Sequence, residues 1–536
     1  MVFSGFGRLF KFGRRREAKP AEAVEGGGGV ERVSGVVHKL YSASRGFRVV
    51  EEYPIREPFA YIRIVEEEDT GRLFYEVYEV SLTEEEARIF NDLKEHVMWE
   101  IKPVSMMDVD ASKVLLKTAR KVLREFQIRF TKTPTFSWSK IEYYVERDLI
   151  GFGVLDPIFR DRFVEDISCN GVGKPVYVWH RKYESLPTNI IFNSENELDE
   201  YVLKLAHMAG KHISVAYPVL DAILPGGHRL AATFREEVST RGSTFTIRKF
   251  SESPITIADM ISFKTISPDI AAYFWLAMDY KMTTLILGVT GAGKTSTLNA
   301  LATLLRPTYK IVTIEDTPEI RIPHENWVQL VSRPSYVGSG VGEISLFHLV
   351  KLSLRYRPDV IVVGEVRGEE AYVLFQAIAT GHSGMTTLHA ESIDAAVKRL
   401  TSPPMNIPPS YIPLVNIAMV IRRVQIADEK GRLRPARRIT NVWEVIDYEN
   451  YQEIARWNPA EDAFSIDLKS SIVLRKIAEL SGKPMDSLMQ EVERRKAVLE
   501  WLVKTGRTDY RSVASTIHRY YMNPESVFKS IEYKVA

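Results

Sequence analysis

The sequence predicts an α/β protein in which small α/β modules precede a parallel-sheet core and a helical region follows it. Apolar, strand-like runs alternate with helix-like runs over residues 255–425, as in sheets whose parallel strands are joined by helical crossovers. Nearer the C-terminus, Leu488, Val492, Leu499 and Leu502 recur at helical spacing. Of the 536 residues, 45% are hydrophobic and 26% are charged, which is ordinary for folded domains with their own cores.

Composition and charge exclude several classes of protein. The chain carries 71 Lys and Arg against 69 Asp and Glu, a net charge of +2, so a bulk nucleic-acid coat is excluded and no nucleic-acid partner is expected. Cys169 stands alone, which excludes an internal disulfide and a four-cysteine zinc module and favours a reducing compartment. The most apolar stretch, 270–289, is interrupted by Asp279 and Lys281, and the N-terminal apolar run is too short for a signal peptide. We expect a cytoplasmic protein.

Shifts in composition and pattern divide the chain into six predicted segments. They are a basic flexible tail (1–36), an N-terminal α/β module (37–135), a second module (136–250), a linker (251–262), the parallel α/β core (263–450) and a helical C-terminal region (451–536). Strands are expected to give way to helices beyond the Pro-rich stretch 403–413. In residues 3–16, arginines and a lysine alternate with Phe, a pattern that fits peripheral contact with anionic lipid or an acidic partner, or else a solvated terminus.

Local patterns predict elements inside the two N-terminal modules. The runs FAYIRIVEEE and LFYEVYEV read as strands joined by a turn at 69–71. Thr83 and Glu86 have the spacing of a capping box that opens a helix, and a second helix is predicted over 109–129. In the second module we expect a strand in PVYVWH, a helix over 195–210 and a hairpin in ILPGGHRLAATF.

The strongest chemical signal is GVTGAGKTS, which follows the apolar run 285–287 and precedes a helix-forming run. It matches the pattern G-x-x-x-x-G-K-[ST], whose glycines let backbone N–H groups surround a phosphate at a helix N-terminus. Its lysine reaches the β- and γ-phosphates, and its threonine offers a hydroxyl to Mg²⁺. The predicted nucleotide-binding residues in this motif are Gly288, Thr290, Gly291, Ala292, Gly293, Lys294, Thr295 and Ser296.

Acidic residues follow two further apolar runs. KIVTIEDTPEI places Glu315 and Asp316 at the end of one predicted strand, and RPDVIVVGEVRGEE places Glu365 after another. Open α/β sheets bind their ligands at the carboxyl ends of strands, so we predict Glu365 and Glu315 as catalytic residues, and Thr295 with Asp316 as metal ligands. The alternative is that acids simply end these strands at solvent.

Two histidines, His382 and His389, lie seven residues apart in ATGHSGMTTLHAES. No matching cysteine or third histidine lies near them, which disfavours a metal site. Loop histidines are commonly surface groups. Because they follow Glu365 in the core, we predict instead that both sense the γ-phosphate.

These four motifs, in this order, resemble those of the secretion-type ATPase superfamily, which includes type II secretion, type IV pilus, archaellum and conjugation motors. GVTGAGKT resembles its Walker A motif, IEDTPE its Asp box, VIVVGEVRGEE its atypical Walker B motif and TGHSGMTTLHAES its His box. LPGGHRLAATF and GSTFTIRKF are similar to its second, PAS-like N-terminal domain. The resemblance implies a RecA-like P-loop core that uses ATP and Mg²⁺.

Several features resemble the archaeal branch of that superfamily. A single cysteine cannot form the four-cysteine module that many bacterial members carry, and the chain has only six Gln. The stretches YPIREPFAYIRI and EVERRKAVLEWLVKTG look like archaeal N- and C-terminal regions. The sequence does not separate an archaellum motor from an adhesion-pilus assembly ATPase. Nor does it separate a motor that extends a filament from one that retracts it.

The resemblance further implies a homohexamer at the cytoplasmic face of the membrane. Its expected partners are a polytopic inner-membrane platform protein and, indirectly, pilin or archaellin subunits. An arginine finger, which stabilises the charge of the transition state, is expected among Arg229, Arg241 and Arg248, with Arg367 as a further option. The alternative for each of them is an ordinary surface arginine. Residues 136–250 are expected to swing on the linker 251–262. The competing interpretations are a conjugation-type ATPase and a nucleotide-gated scaffold without useful turnover.

Overall fold

The computed structural model describes residues 30–33, 36–100, 121, 134–250, 254–333, 342–427 and 433–535. The basic stretch 3–16 and nearly all of the predicted helix 109–129 lie outside these residues. The chain forms two compact units, 1–251 and 252–536. We call them unit 1 and unit 2.

Unit 1 is built around one large sheet. Its strands are β1 (Val30–Val33), β2 (Val36–Lys39), β3 (Phe47–Arg56), β4 (Ala60–Glu67), β5 (Leu73–Glu79), β6 (Val164–Cys169), β7 (Pro175–His180), β8 (Glu184–Ile191), β9 (Val219–Ile223), β10 (Arg229–Thr233) and β11 (Thr244–Arg248). Its helices are α1 (Glu84–Glu100), α2 (Pro134–Val145), which continues into a π-helical turn, α3 (Asp156–Arg160) and α4 (Glu195–Met208).

The strands follow the order β3-β4-β5-β8-β7-β6-β11-β10-β9, and β2 pairs with β1 and β8. The parallel contact between Tyr75 of β5 and Thr188 of β8 joins the two predicted N-terminal modules into one sheet. Modules 37–135 and 136–250 therefore share a sheet instead of folding around separate ones. Within the predicted tail, residues 30–33 form β1 and residue 36 begins β2.

The predicted local elements of unit 1 that lie in the described residues are confirmed. The strands β4 and β5 pair antiparallel, β7 and α4 occupy the predicted stretches, and β9 pairs with β10 as a hairpin. The capping box at α1 is also present, because Glu86 N–H donates to Thr83 Oγ1 at 3.3 Å and Thr83 N–H donates to the Glu86 carboxylate at 2.9 Å. These elements could be predicted because their signals, such as a capping box, lie within a few residues of each other in sequence.

His228, beside the β9–β10 turn, makes the stability of unit 1 depend on pH. Its ring is buried against Phe159, and its Nδ1 accepts the Phe250 N–H at 2.8 Å, which requires an unprotonated Nδ1. Burial, followed by the charge of Lys249, lowers the pKa of His228 to about 4. The unfolded chain binds a proton near pH 6.5. Unfolding therefore takes up a proton, and this contribution to stability is lost as the pH falls from about 6.5 to about 4.

We predict that His228→Gln, which keeps an acceptor but does not titrate, flattens this pH dependence. Between pH 7 and pH 4.5 the wild type should lose about 1–2 kcal/mol more unfolding free energy than the variant. Denaturant titrations at the two pH values measure the difference. Identical pH dependence in both proteins would contradict the assignment.

Unit 2 contains the parallel sheet. Its strands are β12 (Thr284–Leu287), β13 (Ile311–Glu315), β14 (Trp327–Val331), β15 (Val360–Val363), β16 (Ser383–Leu388), β17 (Ile417–Ala427), β18 (Leu433–Asp447), β19 (Asn450–Asn458) and β20 (Ala463–Ile466). Its helices are α5 (Ile257–Ser262), α6 (Pro268–Asp279), α7 (Lys294–Ala302), α8 (Leu346–Ser353), α9 (Glu370–Ala379), α10 (Ile393–Thr401), α11 (Ile472–Ser481), α12 (Met485–Lys504), α13 (Tyr510–Met522) and α14 (Pro524–Val535).

The strand order of unit 2 is β14-β13-β15-β16-β12-β17-β18-β19-β20. The first six strands are parallel, and β18 to β20 extend the sheet antiparallel. Every residue of β12, β13, β15 and β16 is buried, as expected for strands covered by helices on both faces. The predicted α/β class with a parallel core is confirmed.

Two predicted boundaries in unit 2 are wrong. Strands do not give way to helices after 403–413, because β17 to β20 occupy residues 417–466, and helices begin at Ile472. The linker 251–262 is too long, since residues 257–262 form α5, whose Ile257 and Ala258 are fully buried in the core of unit 2. Within the described ranges, no helix is long and apolar enough to span a membrane.

Candidate nucleotide-binding site

The loop between β12 and α7 has the backbone of a phosphate-binding turn. β12 ends at Leu287 and α7 begins at Lys294, which confirms the predicted strand–loop–helix context. Gly291 and Gly293 have φ angles of +74° and +102°, a region that side chains disfavour. A Cβ on Gly288 would lie 2.7 Å from the carbonyl oxygen of Ile421, so the loop packs directly on β17. A glycine-rich turn that leads into a helix N-terminus is an arrangement that can bind an anion through its backbone N–H groups.

Lys294 reaches back over this loop. Its Nζ donates to the carbonyl of Val289 at 3.2 Å, and only 9% of the residue is exposed. Burial lowers the pKa of Lys294, and the carboxylate of Glu365 opposes that shift. Thr295 and Ser296 follow in the first turn of α7 and are half-buried. A phosphate chain in the loop would therefore meet the lysine and the helix N-terminus together.

Asp316 and Glu365 converge on one guanidinium. Both follow neighbouring parallel strands, β13 and β15, whose register pairs Ile314 with Val363. Arg367 Nη2 contacts the Glu365 carboxylate at 2.6 Å, and its Nη1 lies 4.0 Å from the Asp316 carboxylate. The structure therefore places the two acids at the same edge of the sheet, around one positive charge.

This donor set fits Mg²⁺. The Asp316 carboxylate and the Thr295 hydroxyl, the two predicted metal ligands, are oxygen donors of the kind that Mg²⁺ takes together with substrate phosphates. In this structure the guanidinium of Arg367 lies between the Asp316 and Glu365 carboxylates. Within the described residues, no cluster of three or more His, Cys, Asp and Glu side chains could hold a metal by itself.

Glu315 holds the loop that carries Asp316. Its Oε1 accepts the backbone N–H groups of Glu319 and Ile320 at 2.9 and 2.8 Å, and its Oε2 accepts from Gln329 Nε2 at 3.1 Å. Burial raises the pKa of Glu315 to about 7, while these hydrogen bonds act in the opposite direction. These contacts hold the loop after β13, which begins with Asp316.

Glu370 plays a similar part on the loop after β15. Its Oε1 accepts the backbone N–H groups of Arg367 and Gly368 at 2.5 and 2.7 Å. This buried carboxylate fixes the turn that presents Glu365 and Arg367.

The two histidines lie at opposite ends of β16. His389 follows the strand and its Nε2 lies 2.9 Å from Thr290 Oγ1, so it contacts the phosphate-binding loop. His382 precedes the strand, and its Nδ1 lies 3.1 Å from the carbonyl oxygen of Ala377 at the end of α9. The six residues of β16 lie between the two histidines and span about 20 Å of extended backbone. The prediction that His382 binds the nucleotide in this site is wrong, because a seven-residue spacing spans a whole strand.

The sequence signature of a known family, described as type II/IV secretion system protein, matches residues 157–510. It covers most of the chain, including the phosphate-binding loop, both acids and both histidines. The chain belongs to this family. The predicted resemblance to secretion-type ATPases is therefore confirmed at the level of the family.

Relatives of this type II/IV secretion system protein come from several organisms. An uncharacterised protein of Methanocaldococcus jannaschii is 37% identical over 394 residues, which cover 71% of this chain and 70% of that protein. A putative conjugal transfer protein of Mycobacterium tuberculosis is 33% identical over 256 residues, covering 46% of this chain and 71% of that protein. Among solved structures, the ATPase DotB of Legionella pneumophila aligns with a TM-score of 0.40 and 16% identity, over 67% of this chain and 93% of its own.

The three arginines predicted as fingers lie in unit 1 of this secretion family member. Arg229 and Arg248 face each other across β10 and β11, and they pair with Asp221 at 2.8 Å and Asp166 at 3.2 Å. Arg241 lies on the exposed loop before β11. All three are exposed, and their role as fingers stays a prediction.

Two cations at the phosphate-binding loop were missed by sequence reasoning. Arg399 of α10 donates to the carbonyl oxygen of His389 at 2.8 Å, and its charge, with that of Arg367, lowers the pKa of Lys294. Arg437 of β18 contacts the loop from the other side, with Nε and Nη2 each 3.4 Å from the carbonyl oxygen of Gly291. Neither lies in a motif. The period-2 alternation in VIRRVQIA and RPARRIT was the available signal for Arg437, because it predicts strands with arginines on both faces.

Proposed function

We propose that this protein is a Mg²⁺-dependent ATPase that drives a secretion or pilus-type assembly machine. One observation carries the proposal: Lys294, Asp316, Glu365 and His389 come from four separate segments and meet at one edge of a parallel sheet. Such an edge is where open α/β sheets bind and process their ligands. The family membership supports the same activity.

Each residue has a distinct part in the proposed reaction. The loop amides and Lys294 bind the phosphates, and Thr295 with Asp316 supplies oxygen ligands for Mg²⁺, which neutralises charge on the phosphates when bound. Glu365 orients the attacking water. Its hydrogen bond to Arg367 has to lengthen or rearrange for the carboxylate to do so. Glu315 positions Asp316, and His389, through Thr290, links the loop to β16.

At a finer level, we propose a homohexameric motor of an archaeal type IV pilus-like or archaellum filament. It acts at the cytoplasmic face of the membrane on a polytopic platform protein and, through it, on pilin-like subunits. The relative from Methanocaldococcus jannaschii supports the archaeal branch. One of Arg229, Arg241 and Arg248 acts as the arginine finger that stabilises the transition state of ATP hydrolysis.

The assembly state tests this proposal directly. Size-exclusion chromatography with light scattering, with and without a non-hydrolysable ATP analogue, should give a particle of about six times the 61.1 kDa chain when the analogue is present. Lys294→Ala should not respond to the analogue, because it lacks the phosphate-binding lysine. A wild type that stays monomeric with bound analogue would contradict the hexamer.

A conjugation-type ATPase is the second candidate, and the likeness to the putative conjugal transfer protein favours it. The two candidates differ in what should accelerate turnover. Single- and double-stranded DNA should leave the ATPase rate of a filament motor unchanged, whereas a DNA-transfer ATPase that contacts its cargo should respond. Stimulation by DNA that disappears at high salt would replace the first candidate with the second.

A further inference from the structure

The phosphate-binding loop has two unlike flanks. On one side of β12 lie β16 and then β15, whose ends carry His389 and Glu365. Under the proposed function, the reacting, γ-phosphate end of a nucleotide faces this flank, because Glu365 follows β15 and His389 contacts Thr290 of the loop from the end of β16. On the other side lie β17 and β18, about 5 and 10 Å away at normal strand spacing. We therefore expect the α-phosphate and nucleoside of the same nucleotide to extend towards β17 and β18.

Arg437 of β18 lies against the loop on that second flank. A Cβ on Gly293 would come within 3.1 Å of Arg437 Cδ and 3.4 Å of Ile421 Cδ1, so the arginine stem and the isoleucine line the outer side of the loop. The guanidinium ends 3.4 Å from the carbonyl oxygen of Gly291. That distance is long for a charge-assisted hydrogen bond, which normally lies near 2.7–2.9 Å.

A second arginine stands directly opposite. The register of β17 and β18 pairs Arg423 with Arg437 and Ile421 with Ile439, and alternation along the strands puts all four side chains on the same face. The register therefore puts two arginines side by side on the face of the sheet that contacts the phosphate-binding loop. The neighbouring arginines, Arg422 and Arg438, occupy the other face.

The arginines on the other face contact other parts of the protein. Arg438 contacts the Asp462 carboxylate through Nε at 2.7 Å and Nη2 at 2.9 Å, and Arg422 Nη2 donates to the carbonyl oxygen of Glu391 at 2.9 Å. The guanidinium of Arg437, in contrast, lies at the phosphate-binding loop itself.

We propose that Arg437, assisted by Arg423, binds the α-phosphate end of the nucleotide. The inference rests on the proposed function and deepens it, by naming residues of the same site. A planar guanidinium provides several donors for phosphate oxygens, and its charge lies beside the loop already. The contact forms equally with ATP and ADP, because both carry the α-phosphate. Arg437 therefore contributes to affinity and not to the chemical step.

The test is the full-length Arg437→Ala protein, compared with Arg437→Lys and Arg423→Ala. Arg437→Ala should raise the KM for ATP and the Kd of fluorescently labelled ADP by the same factor, about tenfold, with kcat within twofold. Arg423→Ala should act in the same direction but less, and Arg437→Lys should recover part of the affinity. Arg456→Ala is the matched control, because it removes an exposed arginine from β19 of the same sheet and should change nothing.

Competition by inorganic pyrophosphate separates binding from a structural role. Pyrophosphate occupies the loop without an α-phosphate or nucleoside, so its affinity should be equal in the wild type and in Arg437→Ala. If Arg437 only maintained the shape of the loop, pyrophosphate affinity would fall with ADP affinity, and the inference would be overturned. Unchanged ADP affinity in Arg437→Ala would also overturn it.

The proposed function is judged on a different measurement. It fails if the wild type does not turn over ATP. Even if the wild type does not hydrolyse ATP, comparing the ADP affinity of the wild type with that of Arg437→Ala tests the role of Arg437, because binding needs no hydrolysis.

Discussion

Glu365→Gln is expected to lose ATP turnover by at least a factor of about 100 while binding ATP within about twofold of the wild type. Glutamine has nearly the same shape and can still contact Arg367, but it carries no charge with which to orient and polarise a water molecule. The loop amides and Lys294, which bind the phosphates, are not changed. Single-turnover hydrolysis and equilibrium binding of a labelled ATP analogue measure the two properties separately.

Glu369→Gln provides the matched control for this prediction. It makes the same chemical change four residues along the same motif, at an exposed side chain. Its turnover should equal that of the wild type. If Glu365→Gln and Glu369→Gln hydrolyse ATP at similar rates, Glu365 has no role in the chemical step.

Arg495→Met is expected to destabilise unit 2 by about 3 kcal/mol, the largest stability effect that we predict. Arg495 of α12 is 4% exposed and joins the C-terminal helices to α6. It donates to the Asp279 carboxylate at 2.7 Å, the carbonyl oxygen of Trp275 at 2.9 Å and Glu491 at 2.9 Å. Methionine keeps most of the volume and the helix propensity but leaves a buried carboxylate short of one partner.

The neighbouring Arg494 supplies the control for this experiment. Its side chain is 51% exposed and its ion pair with Glu525 is 3.5 Å long, so Arg494→Met should change stability by less than about 0.5 kcal/mol. Denaturant midpoints of both variants give the comparison. Arg306 also contacts Asp279, at 2.6 Å, which limits the loss in Arg495→Met. Equal midpoints for the two variants would contradict the structural role of Arg495.

Elements set by local chemistry could be predicted from the sequence. The loop between β12 and α7 depends on glycines within six positions, and the capping box at α1 on a pair three residues apart. The strands β19 and β20 could not be predicted in this way. Residues 450–458 are polar on one face and pair with β18 across a tight turn, so their conformation depends on the sheet edge that β18 presents. Long-range pairing of that kind leaves only a weak period-2 signal.

The candidate site could be predicted in part, for a related reason. Strand-end acids such as Glu365 lie where the α/β rule places them. The rule does not say which way a side chain points, and Glu315 turned onto the backbone of its own loop. The prediction for His382 was wrong because the whole of β16, residues 383–388, lies between His382 and His389. Arg437 was missed because it reaches the loop from a strand more than 140 residues away in sequence.

Steady-state phosphate release, measured with MgATP for the purified full-length protein and for Lys294→Ala, tests whether this site hydrolyses ATP. We expect turnover that requires Mg²⁺ and is lost in the variant, because Lys294 is a buried cation at the phosphate-binding loop. Turnover that persists in Lys294→Ala would contradict this site as its origin. No turnover in a folded, nucleotide-bound wild type would contradict the claim that the protein is an ATPase.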